Sequence, residues 1–81
     1  MAKPSPYHAG DKVLLNLGGA IRLVRKERGI SQESLATDAE LDRSYLGGIE
    51  RGEHNLTIMN LNKIANALDV SMSSLLIKGG L

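Results

Sequence analysis

Three consecutive polar residues, Arg43, Ser44 and Tyr45, carry side chains that could recognise another molecule through directed hydrogen bonds. An arginine fork donates two parallel hydrogen bonds, so it matches paired acceptors such as O6 and N7 of guanine. A serine hydroxyl can donate or accept at a base, and a tyrosine can reach a phosphate or stack on a sugar. The alternative is an exposed polar helix turn in which Arg43 is only hydrated.

The elements around these residues begin with a segment from Ser31 to Gly52 that predicts two short helices joined by a tight turn. Ser31 and Asp42 are suitable N-caps, and Gly52 is a suitable stop. Residues 39–41 are too few for a loop, so the two helices must cross at a steep angle. Ala36 is small where that crossing brings the helices together. These features predict a helix-turn-helix, whose second helix would enter a DNA major groove.

The spacing of key residues in this motif and before it resembles that of the lambda and 434 repressor-like DNA-binding domains, the XRE family. The residues that carry the resemblance are Arg25, Gln32, Ala36, Leu41, Ile49 and Glu50. Within the family, LDRSYLGGIERG followed by NLTI looks most like the small controller proteins of restriction–modification systems. The resemblance implies an all-α, five-helix domain, with the helix-turn-helix in helices 2 and 3, that binds operator DNA as a homodimer and regulates transcription.

The resemblance also implies roles for individual side chains at the DNA. The residues that it places there are Gln32, Arg43, Ser44, Tyr45, Gly47, Arg51 and Asn55. Gln32 matches a family position that reaches the phosphate backbone and braces the recognition helix. Arg51 stands at the end of that helix, where phosphates are expected to be the nearest groups. His54 follows as a further contact or as a solvated loop histidine.

Two local features depart from what helix propensity or the family pattern favours. Gly47 and Gly48 lie inside the recognition helix, where each costs about 1 kcal/mol relative to alanine. They favour a close approach to the groove or to helix 2, with a fraying helix as the alternative. Glu40 stands where the family usually has glycine or asparagine, because the backbone there becomes left-handed. Either the turn is built differently or the domain tolerates that strain.

A pair of opposite charges matches a structural feature of the family. Arg25 and Glu50 occupy positions whose side chains form an ion pair between helix 1 and the end of helix 3. Both residues stand beside core positions, Val24 and Ile49, which favours the pair. Two independent surface charges are the alternative.

The N-terminal residues predict a flexible arm over residues 1–12, followed by one DNA-binding domain over residues 13–81. Pro4, Pro6 and Gly10 punctuate the arm, which has little apolar content. Helix 1 is expected from Val13 to Arg28, with Asp11 as its cap and an apolar stripe of Leu17, Ile21 and Val24. Gly18 and Gly19 inside it permit a close helix contact, unless the helix begins after them.

The C-terminal part predicts two more helices and a dimer contact. Thr57 caps helix 4, whose expected apolar stripe is Ile58, Leu61, Ile64, Ala65 and Leu68. Ser71 caps helix 5, which carries Leu75, Leu76 and Ile77 in succession before Gly79 and Gly80 end it. Three consecutive apolar residues cannot all face one small core. We therefore expect these three residues to form a homodimer interface.

Composition limits the classes of function. The chain has 81 residues and no cysteine, which fits one small domain in a reducing compartment. No signal peptide or membrane span is evident, so a cytoplasmic location and no membrane partner are expected. Residues 1–30 hold six basic and two acidic residues, a net charge of +4, whereas residues 31–81 carry −3. Modest basic patches are thus expected rather than non-specific polyelectrolyte binding.

Catalysis is not expected from this sequence. His8 and His54 stand in unrelated contexts without metal-ligand spacing, and no serine has a partnered base. The glycine pairs follow no strand, so they are not phosphate loops. We expect no cofactor, no metal and no small-molecule effector. The alternatives to a restriction–modification controller are an antitoxin, a phage or plasmid repressor, or a module that binds a protein instead of DNA.

Overall fold

A computed structural model of the chain describes residues 3–81 and contains five α-helices in that range, with no β-strand. They are α1 (Lys12–Glu27), α2 (Gln32–Asp38), α3 (Arg43–Glu50), α4 (Ile58–Leu68) and α5 (Met72–Lys78). The predicted all-α, five-helix fold with the helix-turn-helix in α2 and α3 is confirmed. Met1 and Ala2, which belong to the predicted flexible arm, lie outside the described residues.

Each helix begins after a residue whose side-chain oxygen accepts a hydrogen bond from a backbone N–H of the first turn. The caps are Asp11, Ser31, Asp42, Thr57 and Ser71, as the sequence predicts. These bonds measure 2.9–3.2 Å. A cap of this kind stabilises its helix by about 1 kcal/mol. The starts of all five helices are therefore encoded locally.

The helix ends are equally uniform. After each helix comes one residue with a positive φ, and the next residue donates its N–H back to the last helical turn. The left-handed residues are Gly29, Glu40, Gly52, Asp69 and Gly80. Glu40 has a φ of 57°, so the turn between α2 and α3 has the family geometry without the usual glycine or asparagine. The domain thus tolerates a strain of about 1–2 kcal/mol there.

The core lies where the helices converge, and every helix contributes at least one fully buried side chain. The largest of these are Ile21, Leu35, Leu46, Ile64, Leu68 and Leu75. The predicted stripe of α4 needs one correction. Ile58 is 66% exposed, because it occupies the first turn of α4, which the other helices leave uncovered. The core stripe of α4 therefore starts at Leu61.

A close contact between α1 and α3 depends on Gly18. A Cβ atom on this residue would lie only 2.8 Å from the backbone oxygen of Glu50, whereas one on Gly19 would meet no atom within 4 Å. Both glycines lie inside α1, so the helix does not begin after them. Gly18 is the residue that allows α1 to pack directly against the C-terminal end of α3.

The N-terminal segment contacts the loop that follows α3. The backbone N–H of Ser5 donates to the carbonyl oxygen of Glu53 at 2.7 Å, and that of Gly10 donates to Gly52 at 2.8 Å. Both contacts precede α1, which begins one residue before the expected start of the domain helix. The flexibility of the arm stays a prediction.

Helix α5 divides its three consecutive apolar residues between the core and the surface. Leu75 is fully buried in the core of the protomer, Leu76 is half-buried, and Ile77 is 74% exposed. Leu75 therefore belongs to the core, and only Leu76 and Ile77 are accessible to a second chain. No helix within residues 3–81 combines the length and apolar character that a membrane crossing requires.

Candidate nucleic-acid interface

The exposed side of α3 brings together residues that lie one or two helical turns apart. Arg43, Ser44, Gly47 and Arg51 line one shallow recess on this side. The cap Asp42 fixes the start of the helix, so Arg43 and Ser44 stand in its first turn. The recess is therefore framed by two guanidinium groups, with a glycine between them. A surface of this type offers many donors to base edges or phosphates.

A chain of hydrogen bonds connects Arg43 to the interior of the domain. Its Nη1 donates to Oε1 of Gln32 at 2.9 Å, and Nε2 of Gln32 donates to Oε1 of Glu50 at 2.9 Å. The two bonds use opposite ends of the Gln32 amide, which fixes its orientation. Gln32 thus braces α3 and orients Arg43 at the surface.

Glu50 is also the acceptor of the ion pair that the resemblance implies. Nε of Arg25 donates to Oε2 of Glu50 at 2.7 Å, and Nη2 donates to Oε1 at 3.1 Å. The third nitrogen, Nη1, donates to the carbonyl oxygen of Ile30 at 2.8 Å. Both side chains are at least nine-tenths buried. The guanidinium of Arg25 therefore joins α1 to the end of α3 and to the turn that precedes α2.

Arg51 does not extend beyond the end of α3 as the sequence suggests. Its Nη1 lies 3.2 Å from the point where a Cβ on Gly47 would be, so the side chain turns back along the helix. Nε and Nη2 donate to the two carboxylate oxygens of Glu53, at 2.6 and 3.3 Å. This hydrogen bond lowers the pKa of Glu53 below its usual value, and the carboxylate raises the pKa of Arg51. Sequence reasoning missed Glu53, although opposite charges two residues apart signal it.

An aromatic contact between Tyr45 of α3 and His54 of the following loop, which the sequence did not predict, lies on the other side of α3. The rings of Tyr45 and His54 are 4.7 Å apart and tilted by 44°. His54 is 7% exposed and packs against Gly48, where a Cβ would lie 2.6 Å from its Cδ2. The hydroxyl of Tyr45 accepts a hydrogen bond from Nδ2 of Asn60 at 3.1 Å. His54 is thus neither a solvated loop residue nor an exposed contact. Its ring is buried and packs against α3.

Of the remaining predicted contact residues, Ser44 and Asn55 keep a surface position, whereas Gly47 is buried. Ser44 is half-buried at the recess, and Asn55 is exposed in the loop between α3 and α4. Gly47 is covered by the neighbouring side chains of Gln32 and Arg51. Residues 3–81 contain no group of three or more histidine, aspartate or glutamate side chains that could hold a metal ion.

The arrangement of α2 and α3 has a counterpart among known proteins. A helix-turn-helix family model matches residues 21–75, which include the whole of α2, α3 and α4. The chain belongs to the helix-turn-helix family. The XRE-type motif that the sequence predicts is therefore confirmed.

Relatives of this helix-turn-helix chain include control proteins. It is 38% identical over 64 residues to control protein C.MunI of a Mycoplasma species, which covers 78% of this chain and 86% of C.MunI. It is 37% identical over 67 residues to control protein C.BamHI of Bacillus amyloliquefaciens, covering 82% and 83% of the two chains. The crystal structure of the restriction-modification controller protein C.AhdI from Aeromonas hydrophila matches with a TM-score of 0.75 at 45% identity, covering 76% of this chain and 94% of C.AhdI.

Proposed function

We propose that this helix-turn-helix chain is a sequence-specific DNA-binding regulator of transcription. The observation that carries the proposal is the position of Arg43, exposed in the first turn of α3 and hydrogen-bonded to Gln32. The N-terminal end of a recognition helix is the part that reaches base edges in the major groove. An oriented guanidinium loses less conformational freedom on binding than a free one. Arg43 is therefore the primary base-reading residue, with Ser44 beside it.

Phosphate contacts complete the interface in this proposal. Asn55 is exposed beyond the C-terminal end of α3, and Gln32 lies at the start of α2. These two residues flank the recognition helix, where the backbone of a DNA strand would pass on either side of the groove. Tyr45 adds a phenol beside them, although its hydroxyl is already bonded to Asn60. Such contacts fix the position of the helix without reading sequence.

A homodimer formed through α5 would place two recognition helices on one operator. Ile77 is largely exposed and Leu76 is partly exposed, and both lie in α5. A two-fold contact would bury these side chains and set the two α3 helices about 34 Å apart, one turn of DNA. Leu75 stabilises α5 from the core side.

The biological role that we infer is that of a restriction–modification controller acting on its own promoter. The support is the similarity to C.MunI, C.BamHI and C.AhdI, each covered over more than four-fifths of its length. This role requires binding and release of DNA in the cytoplasm, with regulation through concentration and occupancy. It involves no catalysis, cofactor or small-molecule effector.

The proposal is tested by selecting DNA from a random duplex pool and titrating the enriched duplex at several salt concentrations. We expect one two-fold symmetric sequence to be enriched, and log affinity to fall linearly with log salt by about 0.9 per phosphate contacted. A pool that shows no enrichment, with affinity for random duplex that stays weak and independent of salt, would refute the proposal. That result would favour a module that binds a protein partner.

A further inference from the structure

The side chain of Arg51 pairs with Glu53 on the exposed side of α3. Two of its nitrogens donate to Glu53, and Nη1 is directed towards Gly47 and the recess that Arg43 and Ser44 also line. A glycine at position 47 gives this orientation room, because a Cβ there would lie 3.2 Å from Nη1 and the guanidinium would have to shift by a few tenths of an ångström. The guanidinium therefore lies over the helix instead of beyond its end.

The hydrogen bonds to Glu53 leave one edge of the guanidinium free for a ligand. A guanidinium has five N–H donors, and the pair with Glu53 occupies Nε–H and one N–H of Nη2. The outer N–H of Nη2 and one N–H of Nη1 then form a second parallel fork. This fork matches the O6 and N7 acceptors of guanine in the major groove.

The carboxylate of Glu53 also changes the electrostatics of Arg51. Two cationic side chains, Arg43 and Arg51, border the same recess, and Glu53 offsets the charge of the second. The Arg51–Glu53 pair as a whole carries no net charge, so it gains less from counterion release at a phosphate than an unpaired arginine does. Arg51 keeps its directed donors, and directed donors distinguish bases.

We propose that Arg51, oriented by Glu53 and given room by Gly47, reads a second guanine next to the base pair that Arg43 reads. Glu53 is a positioning residue in this arrangement. The inference rests on the proposed function, because it concerns which residues of the same DNA interface carry specificity. It replaces the phosphate-anchoring role that the sequence suggests for Arg51.

The test uses the full chain and the duplex enriched from the random pool, together with every single-base variant of that duplex and a random duplex. Affinities are measured at several salt concentrations for wild type, Arg51→Ala, Arg51→Lys and Glu53→Gln. Arg28→Ala is the matched control, because it removes an exposed arginine at the end of α1. Thermal melts check that each variant remains folded, which is expected because the side chain of Arg51 is 61% exposed.

Arg51→Ala should lower the preference for guanine at one position by about 5- to 150-fold, the range for one bidentate base contact, and leave affinity for random duplex nearly unchanged. Arg51→Lys should lose the same preference, because an ammonium keeps the charge but not the fork. Glu53→Gln, unlike Arg51→Ala, should change the affinity for random duplex. It should strengthen that binding and steepen its salt dependence while weakening the guanine preference.

The inference is overturned if Arg51→Ala weakens the enriched and random duplexes by the same factor and lowers the salt slope by about one, because Arg51 is then a phosphate anchor. It is also overturned if Arg51→Lys retains the full guanine preference. In both cases a loss of selectivity in Arg43→Ala would leave the proposed function standing. A wild-type chain that enriches no sequence from the pool would overturn both.

Discussion

The side-chain amide of Gln32 donates a hydrogen bond of 2.9 Å to the buried carboxylate of Glu50. This bond ties the first residue of α2 to the last residue of α3, so the two motif helices are joined by polar contacts as well as by packing. The same carboxylate pairs with Arg25 of α1, and the same amide accepts from Arg43 at the surface. The structural ion pair and the candidate base-reading residue therefore belong to one network.

Removing the carboxylate of Glu50 should strongly destabilise the domain. Glu50→Ala leaves the buried guanidinium of Arg25 unpaired, which typically costs about 3–5 kcal/mol. This loss is comparable to the whole stability of a marginal small domain. Chemical denaturation of the wild type and of Glu50→Ala measures the change in the free energy of unfolding.

Glu27→Ala is the matched control for that measurement. Glu27 pairs with Lys78 at 3.4 Å, but both side chains are about half exposed. A surface pair of this kind contributes about 0–1 kcal/mol. Equal small losses in the two variants would show that burial of the Arg25–Glu50 pair has no energetic consequence.

Adjacent glycines in α1 should respond to alanine in opposite directions. Gly18→Ala places a Cβ against the backbone of Ile49 and Glu50, which cannot move aside without shifting α3, so we expect a loss of about 1–3 kcal/mol. Gly19→Ala meets no atom within 4 Å and should stabilise the helix by about 0.5–1 kcal/mol. Thermal or chemical unfolding of the two variants measures this difference. Stabilisation by both would mean that α1 and α3 are not in close contact.

Much of this architecture follows from short-range sequence signals. The five caps are predictable because each residue acts on its own first turn, and the core residues of α1 recur at helical spacing. Ile58 follows the apolar period of α4 yet is exposed. Periodicity could not predict this, because it does not show where the neighbouring helices end. The helices could thus be placed from sequence more reliably than the edges of the core.

The interface contains features that sequence alone could not reveal. Burial of His54 depends on the missing Cβ of Gly48 and on the ring of Tyr45, which only the folded loop brings together. The backward orientation of Arg51 likewise involves a partner beyond the helix, Glu53, and the room left by Gly47. Such side-chain directions are set by tertiary contacts, and residue spacing does not specify them.

A charge at Ile77 should prevent the proposed dimer. Ile77→Asp places a carboxylate on each side of the two-fold contact, where burial of like charges is unfavourable, yet the exposed position should leave the protomer folded. Sedimentation at concentrations of tens of micromolar should change from dimer to monomer. Val13→Asp is the control, since Val13 is an exposed apolar residue of α1 and should leave the dimer intact. A wild-type chain that sediments as a monomer, with no change in Ile77→Asp, would contradict the α5 interface.

Truncation of Arg43 should remove base selectivity at one position of the operator. Arg43 stands directly after the cap of α3, and Gln32 orients its guanidinium, so one fork can face a guanine. Arg43→Ala should cost about 1–3 kcal/mol on the enriched duplex and flatten the preference at that base pair. Titration against the enriched duplex and its single-base variants at several salt concentrations measures both quantities.

The companion variant Gln32→Ala separates orientation from contact. Without the amide, Arg43 keeps its donors but loses the bond that orients them, so selectivity should fall by less than in Arg43→Ala. Because Gln32 also donates to Glu50, the stability of this variant is measured in parallel. If Arg43→Ala instead loses affinity equally on every sequence, Arg43 is a phosphate anchor, and the base-reading surface lies elsewhere on α3.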